Sequence, residues 1–87
     1  MSQYEALFNP GRIGQLAIKN RLVMAPMGSN LGNDDGFVGD RFIHHYRQRA
    51  EGGAGLLIVE GAIIDFPRGN TLPYGIGLSD DRYLPGL

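Results

Sequence analysis

The sequence contains no cysteine, so disulfides and thiolate-bound zinc or iron–sulfur centres are excluded within these 87 residues. It also has no large excess of either charge, because eight Lys and Arg residues nearly balance nine Asp and Glu residues and give a formal net charge of −1. Such a balance provides no basic field for nucleic acid or for an anionic membrane. No apolar run approaches the about 20 residues that a membrane-spanning helix needs. We therefore expect neither nucleic acid nor membrane as a partner.

The amino terminus has neither a basic segment nor an apolar segment of the kind found in secretory signals. The default expectation for localisation is therefore cytoplasmic. Fourteen glycines, five prolines and 43% hydrophobic residues are typical of a globular protein. A chain of this length buries only about 60–65% of its unfolded surface, and no disulfide reinforces it. We expect the segment by itself to be marginally stable.

Six consecutive apolar residues at positions 22–27 form the most informative stretch. A run this short and this apolar predicts a buried strand of the parallel type. Pro26 marks its end, because proline lacks the N–H that a central ladder needs, and the small residues that follow suit a loop. In parallel α/β architectures, ligands bind at the carboxyl ends of the strands.

A helix and a second strand are predicted to follow. Asp40 is the predicted N-cap of a helix over residues 41–51, which Gly52 and Gly53 end. Its apolar residues share one face at helical spacing: Phe42, Ile43, Tyr46 and Ala50. Residues 55–61 form a second short apolar run and a second buried strand. Strand, loop, helix and strand make one βαβ unit.

Three short motifs resemble ligand sites but fit simpler roles. Residues 33–36 lack the distal acidic ligand of a calcium-binding EF-hand loop, so we predict a turn. His44 and His45 are adjacent on a helix and point about 100° apart, which prevents them from chelating one ion. The glycines at 52, 53 and 55 precede a strand, whereas a dinucleotide-binding fingerprint follows one. Helix capping and a tight turn explain them better.

The ends of the chain add two further expectations. Ile13, Leu16 and Ile18 flank a Gly14-Gln15 turn and predict a small β-hairpin. Residues 62–78 form a predicted loop, and its length is typical of function or disorder. Residues 79–81 are predicted to cap another helix.

The order and spacing of many short motifs resemble the amino-terminal part of the Old Yellow Enzyme family of FMN-dependent ene-reductases. The residues after Pro26 are most similar to the branch of 2-enoate and 2,4-dienoyl-CoA reductases. The matching residues span the chain: Leu7-Phe8-Asn9-Pro10, Ile13-Gly14, Leu16, Ile18-Lys19-Asn20-Arg21, Val23-Met24-Ala25-Pro26-Met27, Asp35-Gly36, Tyr46, Arg49-Ala50, Gly52-Gly53, Leu57-Ile58-Val59-Glu60, Asp80-Asp81 and Leu84-Pro85-Gly86.

The resemblance implies an α/β fold, the (β/α)8 TIM barrel, preceded by a short β-hairpin. Residues 1–87 would supply the capping hairpin, the first strand, its helix, the second strand and the next loop, which leaves the barrel incomplete. FMN would lie over the carboxyl ends of the strands. The cofactor-binding residues are then Ala25, Pro26, Met27 and Gly28 after the first strand and Gly61 after the second. The small residues among them let a flat ring approach the backbone.

The resemblance also implies a reaction, in which NADH or NADPH reduces FMN and a hydride passes to the activated C=C bond of an unsaturated carbonyl or enoate. The family's proton-donating tyrosine and carbonyl-binding His/His or His/Asn pair come from later strands. Tyr46, Tyr74, His44 and His45 do not match them, so no catalytic residue and no metal ligand is predicted here. Asn30 is placed on the substrate side. In this branch a carboxyl-terminal extension carries a 4Fe–4S cluster and FAD.

Two strands of eight cannot close a barrel, so we interpret the chain as a fragment that is inactive by itself. One alternative is a short interaction protein derived from the barrel. Its exposed strand edges would favour homo-oligomers or another partner. A second alternative is an amine dehydrogenase or oxidative demethylase on the same barrel.

Overall fold

The computed structural model describes residues 3–87. Its elements in chain order are α1 (Glu5–Phe8), β1 (Gly11–Ile13), β2 (Leu16–Ile18), β3 (Val23–Met24), α2 (Asp40–Glu51), β4 (Leu56–Leu57) and a 3₁₀ helix (Asp81–Gly86). The strands form two two-stranded sheets, one of β1 with β2 and one of β3 with β4. The described residues therefore comprise a hairpin followed by one α/β unit.

The predicted hairpin is confirmed. β1 and β2 pair antiparallel, with Ile13 opposite Leu16. Gly14, in the turn between them, has a φ of 59°, which glycine adopts without the steric cost that a Cβ atom would bring. The N–H of Arg21 donates to the carbonyl of Leu7 at 2.8 Å, so α1 is tied to the chain just before β3.

The parallel pair on either side of the helix is also confirmed, with Val23 beside Leu56 and Met24 beside Leu57. Both strands are shorter than the apolar runs predicted. After β3, the N–H of Met27 donates to the Ala25 carbonyl at 2.9 Å, and this bond turns the chain around Pro26.

The expectation of full burial for these strands is wrong in the described structure. Val23 is 48% exposed, because β4 is the one hydrogen-bonded neighbour of β3 in residues 3–87.

The helix α2 begins one residue earlier than predicted. Gly39 occupies the N-cap position and makes no side-chain capping bond, so the prediction of Asp40 as the cap is wrong. Asp40 lies instead in the first turn, where its carboxylate interacts favourably with the positive end of the helix dipole. The end of the helix is as predicted, since the Gly52 N–H donates to the Gln48 carbonyl and Gly53 has a φ of 115°.

Asn20 joins the amino-terminal ends of β3 and β4. Its side chain is only 8% exposed. Nδ2 donates to the Gly53 carbonyl at 2.6 Å, and Oδ1 accepts from the Leu22 N–H at 3.0 Å. Gly55 must remain small here, because a Cβ atom would lie 2.5 Å from Asn20 Oδ1 and 2.6 Å from the Asn20 carbonyl oxygen.

The loops that follow the two strands pack together around Tyr83, which is 2% exposed. The rings of Phe37 and Phe66 lie 4.7 and 6.2 Å from that of Tyr83. Residues 62–78 are held by backbone bonds, because the Ile63 N–H donates to Ile76 and the Leu78 N–H donates to Ile63, both at 2.8 Å.

The two remaining local predictions are confirmed. Residues 33–36 form a turn, in which the Gly36 N–H donates to the Asn33 carbonyl at 3.1 Å. Asp80 caps the 3₁₀ helix by accepting from the Arg82 N–H at 3.0 Å.

The described part of the chain is extended and has little core. Its radius of gyration is 15.5 Å, against about 12 Å for a compact domain of this length. Phe42, Ile76 and Tyr83 are the buried hydrophobic residues. An apolar groove between α2 and β4, lined in part by Ile43 and Leu57, is open to solvent. No helix within residues 3–87 has the length and apolar character to cross a membrane.

Candidate functional site

A cleft of about 330 Å³ lies at the carboxyl ends of β3 and β4. Its walls come from three segments: Gly28 after β3, residues 60–63 after β4, and residues 70–75 of the long loop. The segments meet because β3 and β4 are parallel, so both chains leave the sheet at the same edge. The structure thus places a concavity where ligands bind in parallel α/β folds.

Two of the five predicted cofactor residues line this cleft. A Cβ atom on Gly61 would meet no atom within 4 Å, so the backbone there is open to an incoming group. A Cβ atom on Gly28 would meet only the Leu72 Cδ1 atom, at 2.7 Å. Ala25, Pro26 and Met27 do not line the cleft, although they lie exposed in the turn that leads to Gly28.

Glu60 is a polar feature of the cleft that sequence reasoning did not select. It is 4% exposed, and Oε1 accepts from the Ser29 N–H at 3.1 Å and from the Tyr46 hydroxyl at 3.0 Å. The Tyr46 oxygen accepts in turn from the Glu60 N–H at 3.0 Å. The signal in the sequence was a single acidic residue between an apolar run and Gly61. Buried carboxylates require such hydrogen bonds.

The same environment shifts the pKa of the Tyr46 hydroxyl. Burial raises the pKa of its hydroxyl above the usual value, while the bond from the Glu60 N–H lowers that pKa in part. The net direction is upward, so the hydroxyl keeps its proton and donates to Glu60.

The loop after β3 is held against the long loop by a second set of bonds. Asn30, at a φ of 60°, accepts on Oδ1 from the Tyr74 N–H at 2.7 Å. Arg41 donates to the carbonyls of Leu31 and Gly32 at 3.0 and 2.7 Å. The Arg41 guanidinium also lies 5.0 Å from the centre of the Tyr74 ring. The Asn30 side-chain oxygen, expected on the substrate side, is thus engaged in joining two loops.

Two buried polar atoms near the cleft have no hydrogen-bond partner: Ser29 Oγ and Asn70 Oδ1. Buried polar atoms of proteins are rarely left unpaired, so each has capacity for a further hydrogen bond. Together with the open backbone at Gly61, they fit a flat group with polar edges such as a flavin. His44 and His45 lie on α2, where the His45 ring packs edge-on against Tyr46 at 5.1 Å. Within residues 3–87 no three potential metal ligands are grouped.

Comparison with known proteins gives consistent results. Residues 6–87 match the family described as NADH:flavin oxidoreductase / NADH oxidase. An NADH oxidase of Thermoanaerobacter brockii is 46% identical over the whole chain, which spans 13% of that protein. A cinnamate reductase of Clostridium sporogenes is 44% identical over 72% of the chain, equivalent to 10% of that protein.

Solved structures agree. A 2-naphthoyl-CoA reductase in complex with 2-naphthoyl-CoA superimposes on 97% of the chain with a TM-score of 0.89 and 34% identity, over 13% of its own length. The arrangement of hairpin, parallel strands and helix is therefore that of a small part of a larger enzyme fold. By its sequence and its fold, the chain belongs to the NADH:flavin oxidoreductase / NADH oxidase family, the Old Yellow Enzyme family that its motifs resemble.

Proposed function

We propose that this segment belongs to an FMN-dependent oxidoreductase that moves a hydride from NADH or NADPH, by way of FMN, to the activated C=C bond of an unsaturated carbonyl or enoate. The observation that supports this most is the cleft at the carboxyl ends of β3 and β4, with Gly28 and Gly61 in its walls. When bound, FMN supplies the hydride chemistry that no amino-acid side chain offers.

The residues of this chain bind and orient the cofactor in this proposal. Gly28 and Gly61 let the flat ring approach the backbone, and residues 25–27 border its edge. Ser29 Oγ and Asn70 Oδ1 provide hydrogen-bonding capacity that the protein itself does not use. The loop contacts of Arg41 and Asn30 hold the wall of the cleft before the cofactor arrives, which reduces the entropic cost of binding.

In the same proposal, residues 1–87 form the first part of a (β/α)8 barrel. The chain spans 10–13% of the relatives described above, so the remaining strands, the proton donor and the carbonyl-binding pair belong to other parts of the polypeptide. A 4Fe–4S cluster and FAD, expected for this branch, are likewise proposed for those parts. Exposed apolar residues such as Val23 and Ile43 would be covered by neighbouring barrel elements.

The proposed substrates are conjugated acids or their thioesters. The names of two relatives support this class, because one is a cinnamate reductase and another binds 2-naphthoyl-CoA. Both molecules carry a carboxyl or thioester group conjugated to an unsaturated system.

The complete polypeptide provides the test. Purified and loaded with FMN, it should oxidise NADH or NADPH without oxygen only when a conjugated acid such as cinnamate or its CoA thioester is added. 3-Phenylpropionate, which lacks the C=C bond, is the matched control. A complete polypeptide that binds no FMN would contradict the proposal. A flavoprotein that oxidises secondary amines instead would support the amine dehydrogenase alternative.

A further inference from the structure

One carboxylate oxygen connects the backbone on both sides of the cleft. Glu60 directly precedes Gly61, and its Oε1 accepts from the N–H of Ser29, which directly follows Gly28. Gly28 and Gly61, which both line the cleft, are thus each adjacent in the chain to one end of a single 3.1 Å hydrogen bond. The two residues are 31 positions apart in the chain, so this bond fixes tertiary structure rather than a local turn.

The carboxylate is itself fixed by α2. Tyr46 donates to Oε1 and accepts from the Glu60 N–H, each at 3.0 Å, so the tyrosine oxygen contacts both the side chain and the backbone of Glu60. The Tyr46 ring packs against Phe42, with 5.0 Å between the ring centres, and Phe42 is 4% exposed. A packed helical residue therefore sets the orientation of the side chain that bridges the cleft.

Within residues 3–87, Glu60 forms no ion pair, so no cation of the described chain neutralises its buried carboxylate. Burial of a carboxyl group is costly unless hydrogen bonds satisfy it, so its presence points to a geometric function.

Building on the proposed function, we propose that Glu60 is a positioning residue for the flavin. Its bond to Ser29 fixes the separation between the backbone at Gly28 and at Gly61, and hence the width of the cleft that receives the ring. A preformed cleft binds FMN more tightly, because the loop after β3 need not become ordered when the cofactor binds. Tyr46 acts through Glu60 by holding its carboxylate in place.

Three variants of the complete polypeptide test this role. In Glu60→Gln the amide oxygen still accepts both hydrogen bonds, so the Kd for FMN should stay within about threefold of the wild-type value. Glu60→Ala removes the oxygen that accepts both hydrogen bonds and should raise that Kd about tenfold. Tyr46→Phe keeps the ring but loses its hydroxyl, and we expect an intermediate Kd. Glu51→Ala, at an exposed position at the end of α2, is the matched control and should leave the Kd unchanged.

Two further measurements test the hydrogen bond itself and then separate positioning from general stability. Hydrogen exchange at the Ser29 amide, followed without FMN, should be faster in Glu60→Ala than in the wild type and Glu60→Gln. The visible circular dichroism of bound FMN should change in Glu60→Ala and Tyr46→Phe, since the ring would sit in an altered cleft. A merely structural role would lower the melting temperature and leave both the Kd and the dichroism of the folded protein unchanged.

The outcomes distinguish this inference from the proposed function. A wild-type polypeptide that binds no FMN contradicts the proposed function and the positioning role together. A wild type that binds FMN, with Glu60→Ala and Tyr46→Phe equal to it, overturns the positioning role alone. If Glu60→Ala does not fold, the other two variants decide. Weaker FMN binding by Tyr46→Phe, with wild-type binding by Glu60→Gln, supports the positioning role. Wild-type FMN affinity in both variants refutes it.

Discussion

Replacing Gly61 with leucine should weaken FMN binding while leaving the protein fold intact. A Cβ atom at this position meets no protein atom within 4 Å, and Gly61 is not among the residues with a positive φ. The described part of the chain therefore leaves room for a side chain to begin at this position. In our account the space it enters is the space that the flavin ring requires.

The expected changes in stability and in FMN affinity differ in size, because the leucine side chain meets the bound cofactor but not the protein. We expect the free energy of unfolding without FMN to change by about 0.5 kcal/mol or less, as at other unconstrained surface sites. Overfilling a packed interface typically costs about 1–3 kcal/mol. For the bound cofactor this corresponds to a Kd for FMN that rises about 5- to 150-fold. Gly61→Ala, which adds one methyl group, should fall between leucine and the wild type.

The assay is a fluorescence titration of FMN with the complete polypeptide, paired with urea unfolding of the protein without FMN. An unchanged Kd in Gly61→Leu would refute the placement of the ring beside Gly61. A loss of stability of more than about 2 kcal/mol would instead show that the position is packed rather than open.

Three further changes test other parts of the structure. Asn20→Ala should lower the free energy of unfolding by about 1–3 kcal/mol, because it leaves two partly buried backbone groups without their hydrogen-bond partner. In urea unfolding, Asn20→Asp should lose at least as much, because its carboxylate places an acceptor oxygen against the Gly53 carbonyl, and a clearly smaller loss would contradict this account. Tyr46 has a raised pKa in the folded state, so its contribution to stability persists below pH of about 10 and is lost as pH rises through the folded pKa. Alkaline unfolding of Tyr46→Phe should lack that loss, and identical profiles would refute it. Arg41→Gln should speed proteolysis within residues 28–39, whereas unchanged cleavage would show that the guanidinium does not hold this loop.

Local chemistry explains the parts of the fold that the sequence predicts well. The hairpin turn needs a residue that adopts a φ of 59°, and Gly14 supplies it. The end of α2 needs a φ of 115° at Gly53. These requirements are met by residues that are neighbours in the chain, so their pattern is visible without the structure. The cap of α2 is displaced by one residue, from Asp40 to Gly39, which is the usual precision of helix boundaries.

The candidate site depends instead on contacts between distant residues. Glu60 and Ser29 are 31 positions apart, and Tyr74 and Asn30 are 44 apart. No periodicity or spacing encodes such pairs, so the sequence showed Glu60 as an acidic residue at the end of a family motif but did not show its partners. For residues 62–78 the sequence left function or disorder open for the same reason, because the Ile63–Ile76 bond that holds the segment joins residues 13 positions apart.

The central claim is that FMN binds in the cleft formed by Gly28 and Gly61. Hydrogen exchange of the complete polypeptide, compared with and without FMN, tests it most directly. We predict slower exchange on FMN addition in residues 27–30 and 60–62 and no change in the hairpin at residues 11–18. Unchanged exchange at both glycine segments, with FMN bound to the polypeptide, would contradict the claim.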